Sequence, residues 1–85
     1  MTNNFDFFKK KLIYRASYRG SKEMDILLGS FVNKYINNFD ERLLLELEKF
    51  LNFEDEIILN YYQNNIIENN IDKNDVSIIF KKYKI

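Results

Sequence analysis

Phe5, Phe8, Leu12 and Ala16 follow steps of three and four, the spacing of one helix face, and predict a first helix over roughly Phe5 to Tyr18. Asn4 is placed to cap its start. Arg15 and Arg19 fall near its end, where cations suit the helix dipole, and Gly20 fits the C′ position just past it. Ser21 is a natural N-cap for a second helix, with Glu23 in its first turn and a wide apolar stripe through Met24, Leu27, Leu28, Phe31, Val32 and Tyr35. Gly29 lies inside that stripe. It weakens a helix by roughly 1 kcal/mol relative to alanine, so a close approach of another helix is expected there. The second helix should end near Asn37-Asn38. Asp40 then caps a third helix carrying Leu43, Leu44, Leu47, Phe50 and Leu51, which stops at Asn52. Glu54 and Asp55 open a fourth, with Ile57, Ile58, Tyr61 and Tyr62. The asparagine-rich run from Gln63 to Asn74 reads as a loop, because asparagine disfavours helix interiors. Asp72 or Asn74 starts a fifth helix with Val76, Ile79, Phe80 and Tyr83.

Composition sharpens this picture. The chain has 85 residues with two glycines and no proline, little punctuation for a sheet protein, so the expected fold is all-α, a compact bundle of five short helices forming a single domain over residues 1–85. A chain of this size buries only about 60% of its unfolded surface, which bounds its stability. Hydrophobic content of 46%, with eight Phe and six Tyr, excludes a disordered tail. No apolar run approaches the ~18 residues of a membrane span, and the N-terminus has neither an apolar signal stretch nor an arginine- and serine-rich presequence, so a cytoplasmic location is expected.

Charge and chemistry narrow the function. Thirteen basic and thirteen acidic residues cancel, whereas nucleic-acid binders carry a basic excess or stripe. The clusters Lys9-Lys10-Lys11 and Lys81-Lys82-Lys84 read as solvated faces. There is no cysteine and no histidine, which removes thiolate nucleophiles, disulfides, Cys or His metal sites and imidazole bases. Asp72-Lys73-Asn74-Asp75 lacks the glycine and closing glutamate of a calcium loop. Glu23 and Asp25 are two positions apart and diverge on a helix, so they make a poor catalytic pair.

The segment Leu12 to Phe31 is the most informative. At its centre Arg19, Gly20, Glu23 and Asp25 form R-G-x-x-E-x-D at the turn between the first two helices. From spacing alone these residues read best as a C-cap, dipole-matching cations and a first-turn acid. The longer run L-x-Y-R-A-x-x-R-G-x-x-E-x-D-x-L-L-G-x-F resembles the signature of the succinate dehydrogenase flavinylation factors, the SdhE family. Arg19, Gly20 and Glu23 match its R-G-x-x-E, Asp25 matches the acid that follows, and Arg15 matches an arginine of the first helix. Asp55, Ile58 and Tyr61 resemble the family's D-x-x-L-x-x-W pattern in helix four. The resemblance covers roughly residues 8 to 64. The chain departs from the family at Tyr18, where many members are basic, at Tyr61 in place of tryptophan, and at Asn64-Asn65, where a glycine is common.

The resemblance implies a five-helix assembly factor, not an enzyme. Such a factor binds the flavoprotein subunit of succinate dehydrogenase, or of fumarate reductase, and promotes covalent attachment of FAD to a histidine of that subunit. It implies that this chain holds no cofactor stably, FAD being attached to the partner; neither nucleic-acid binding nor membrane insertion is expected of it. The partner-binding residues it implies are Arg15, Tyr18, Arg19, Gly20, Glu23 and Asp25, with Arg19 donating hydrogen bonds to partner carboxylates or carbonyls. A helical interaction module with another partner is the first alternative. A nucleic-acid-binding domain using Lys9 to Lys11 with Phe7, Phe8 and Tyr14 is the second, and an enzyme using Glu23 and Asp25 the third.

Overall fold

The apolar stripes converge on one core. The computed structural model describes residues 4–85 and contains helices α1 (Asn4–Ser17), α2 (Lys22–Tyr35), α3 (Glu41–Leu51), α4 (Asp55–Asn64) and α5 (Asp75–Lys81). Its radius of gyration, 12.3 Å, is close to the ~12 Å of a folded chain of this length. The side chain of Asn4, expected as a cap, lies outside the described residues.

Helix starts follow their caps. Ser21 accepts from the backbone N–H of Met24 at 3.2 Å, Asp40 from that of Leu43 at 2.9 Å, and Asn74 from that of Ser77 at 3.0 Å. Glu54 sits at the N-cap of α4 without a side-chain bond. The second helix tightens into a 3-10 turn at Ile36–Asn38, so its expected end near Asn37-Asn38 is reached in a different winding.

Gly29 explains itself at the α1–α2 crossing. A Cβ built there would lie 3.2 Å from the Ser17 hydroxyl oxygen, a tight contact, and 3.6 Å from the Ser17 Cα, an ordinary one, so α1 packs closely on α2 at this point. Phe31, Leu28 and Val32 of α2 are fully buried, as are Leu12 and Ala16 of α1, Leu47 and Phe50 of α3, Ile58 of α4, and Val76 and Phe80 of α5. At ~1.5–3 kcal/mol for each large side chain taken out of water, this shared core is the main stabilising term.

The segment after α4 departs from its reading as a plain loop. Gln63 and Asn64 still belong to α4, and Ile71–Lys73 form a second 3-10 turn. Between them Asn65, Asn69 and Asn70 take φ of 57°, 54° and 59°. Asparagine tolerates this left-handed backbone better than other side chains, which accounts for its density here. The N–H groups of Asn65 and Ile66 both donate to the Asn60 carbonyl, the latter at 3.2 Å, so a left-handed asparagine closes this helix end in place of a glycine. Tyr83, expected inside α5, lies beyond it but is buried. Its hydroxyl donates to Ser30 Oγ at 2.9 Å, and its carbonyl accepts from the Tyr62 hydroxyl at 2.6 Å.

Candidate functional site

The R-G-x-x-E segment is a tight connection between α1 and α2. Helix α1 ends at Ser17, so Arg19 stands in the turn and does not share a helical face with Arg15. Gly20 is not the C′ residue but lies further into the turn, with φ of 115°. That backbone conformation strains any side chain, whereas the space around Gly20 is open: a Cβ added there would meet no atom within 4 Å beyond its chain neighbours. Gly20 is therefore required by its own dihedral angle, and its surface is left bare to solvent.

Arg19 turns inward. Its Nε donates to Asp55 Oδ1 at 2.8 Å, Nη1 to the Leu51 carbonyl at 2.7 Å, and Nη2 to the Phe53 carbonyl at 2.7 Å. The side chain is only 11% exposed and that of Asp55 32%. Leu51 is the last residue of α3 and Phe53 lies in the connection to α4, so the guanidinium satisfies one carbonyl that the helix end leaves without a partner and one of the connection beyond it. Asp55 opens α4. The expected donation from Arg19 to a partner thus has three of its five N–H groups already committed within the chain.

The neighbouring charges divide into held and free. The Asp25 carboxylate accepts from the backbone N–H of Arg19 and so closes the turn from the α2 side. Arg15 Nη2 donates to Asn52 Oδ1 at 2.6 Å, bringing a second arginine to the same α3–α4 corner. Glu23 is exposed, and its side chain makes no hydrogen bond or ion pair among the described residues, so Arg19 and Glu23 do not pair across the turn. The divergence of Glu23 and Asp25, expected from their spacing, is what the helix produces. Tyr18 is 71% exposed, and its ring lies 4.7 Å from that of Tyr14. Glu23, Ile26, Leu27, Tyr62, Gln63 and Ile85 line an open groove of about 320 Å³ beside the turn.

The corner residues Asn52 and Asp55 are not among the site residues that the sequence suggests. Asp55 has a signal, its place in the D-x-x-L-x-x-W pattern, but nothing in the spacing shows that it faces Arg19, 36 positions away. Tyr61, the residue in the tryptophan place, is 7% exposed and belongs to the core. The Lys81 ammonium lies 5.1 Å from its ring centroid and donates to its carbonyl at 2.6 Å. Among the described residues no group of three or more carboxylates is placed to hold a metal ion.

Comparison with known proteins matches residues 10–83 to the family described as flavinator of succinate dehydrogenase. The chain belongs to this family. The match extends the motif-based resemblance, which ends near residue 64, through α5. The chain is 41% identical over 44 residues to succinate dehydrogenase assembly factor 2, mitochondrial, of Drosophila virilis, covering 52% of this chain and 28% of that one. It is 40% identical over 47 residues to the protein of the same name in Scheffersomyces stipitis, covering 55% of this chain and 32% of that one. The matched stretches thus span less than a third of these relatives' length. No solved structure matches the chain. The relatives are named as mitochondrial, which does not fit the cytoplasmic expectation. No helix among the described residues is long and apolar enough to cross a membrane.

Proposed function

We propose that this protein is an assembly factor that binds the flavoprotein subunit of succinate dehydrogenase, or of fumarate reductase, and promotes covalent attachment of FAD to that subunit. The observation that carries this reading is the family match over residues 10–83, which takes in the R-G-x-x-E turn and all five helices in whole or part. The factor acts by binding and not by catalysis, and it holds no flavin of its own. Its lack of histidine is consistent with this, because the linking residue then belongs to the client. Gly20, Glu23, Tyr18 and Arg15 form the contact face. Gly20 offers bare backbone, Glu23 an exposed carboxylate, and Tyr18 and Arg15 the aromatic and guanidinium groups favoured at interface hot spots. Arg19 and Asp25 serve that face by fixing the turn. The place of action is the compartment in which the client subunit folds.

Covalent flavin fluorescence of the succinate dehydrogenase flavoprotein in a denaturing gel tests the proposal. Deleting the gene should remove the fluorescent band, and wild type should restore it where Gly20→Arg and Glu23→Ala do not. An undiminished band in the deletion strain refutes the function and leaves a helical interaction module whose client is another protein.

A further inference from the structure

We infer that Arg19 and Asp55 are positioning residues, a clamp that holds the Gly20 turn against the α3–α4 corner in the one arrangement the client recognises. The inference rests on the assembly-factor reading for its consequence but not for its geometry. A surface arginine that waits for a partner keeps its guanidinium in water. Here Nε, Nη1 and Nη2 are each spent on the corner, at 2.8, 2.7 and 2.7 Å, and the side chain is 11% exposed. The two carbonyls fix the plane of the fork and the carboxylate fixes its in-plane orientation, so the side chain has one seat. The backbone of the same residue is held from α2, where its N–H donates to Asp25. Arg15 adds a third tie through Asn52 at 2.6 Å.

Gly20 follows directly on this doubly held residue, in open space. A glycine so placed is the most freely moving point of a chain, and its bare backbone is a useful contact only if its neighbours fix it. The clamp supplies that restraint. Asp55 thereby acts on the contact face without belonging to it, and the start of α4 sets the geometry of a turn 36 positions earlier.

Asp55→Asn in the full chain tests this, with Val76→Ala, a core change in α5, as the control. Amide hydrogen exchange of Arg19, the turn N–H that Asp25 holds, is measured against that of Leu28 and Phe50, and affinity for the flavoprotein is measured at temperatures where both variants are folded. Asp55→Asn, which keeps an acceptor for Arg19 Nε but removes its charge, should speed exchange at the Arg19 amide relative to the core, and weaken client binding, each by roughly five- to tenfold, the difference between a charged and a neutral hydrogen bond. Val76→Ala should do neither. Unchanged exchange at the Arg19 amide in Asp55→Asn overturns the clamp. So does a loss of affinity that Val76→Ala reproduces at equal stability. Failure of the wild-type chain to bind the flavoprotein refutes the proposed function instead, and the exchange measurement still decides the clamp.

Discussion

At Gly20 two demands that usually coincide are separate. Its φ of 115° excludes ordinary side chains, yet the volume beyond its Cα is empty. A substitution therefore costs backbone strain, on the order of 1–3 kcal/mol, whatever the size of the new side chain. Gly20→Ala and Gly20→Arg should shift the urea midpoint of the isolated chain by similar amounts and leave both folded. Client binding should then rank them by size, with Gly20→Arg losing the complex and Gly20→Ala keeping a measurable part of it. Denaturation of the arginine variant alone would show that the space is not free in solution. Arg19 makes the converse point. Its position in the motif invites a role in direct contact, but its bonds run inward, and only the fold of residues 51–55 reveals where they go.

Helices are the most legible level. Period, caps and interrupting asparagines locate α1 to α5 within a few residues, because each amphipathic stripe is long enough to outvote local noise. The close approach at Gly29 is legible too, since a glycine in an apolar stripe has few other uses. Gly29→Val should cost ~1–3 kcal/mol by forcing α1 away from α2, read as a lowered urea midpoint, and an unmoved midpoint would mean that Ser17 yields freely. What sequence does not supply is the long-range pairings. Nothing in the local pattern links Arg19 to Asp55 or Arg15 to Asn52, because such ties depend on how helices are arranged and not on their own period. The Gln63–Asn74 run misleads for another reason. A high asparagine content reads as a lack of structure, while Asn65, Asn69 and Asn70 hold a defined left-handed path that happens to need that side chain.

At the scale of the whole molecule, aromatic rings join what the short helices cannot hold alone. Phe31 lies 5.0 Å from Phe80, 5.3 Å from Tyr35 and Tyr83, and 6.5 Å from Phe50, so one side chain of α2 meets α3, α5 and the segment after it. Tyr61 adds a pH dependence. Burial, reinforced by the charge of Asp72, raises its phenol above the ordinary value of 10.0. The native state then keeps its proton when the unfolded chain has begun to lose it, so this contribution is full below about pH 10 and declines as pH rises further. Urea midpoints measured upward from about pH 8 should fall more steeply for wild type than for Tyr61→Phe, and parallel curves would remove the effect. Phe31→Ala tests the joining itself. The change should cost ~3–5 kcal/mol, against ~5–15 kcal/mol for a typical domain and less for one this small. Because the rings link α2, α3, α4 and α5, the loss should appear as one cooperative transition at lower urea, with exchange at Arg19 and at Phe80 accelerated together. Asp55→Asn should free the turn alone. If Phe31→Ala instead loosened α5 while the turn kept its protection, the core would be divided, and the contact face would rest on α1, α2 and the α3–α4 corner without the rest of the fold.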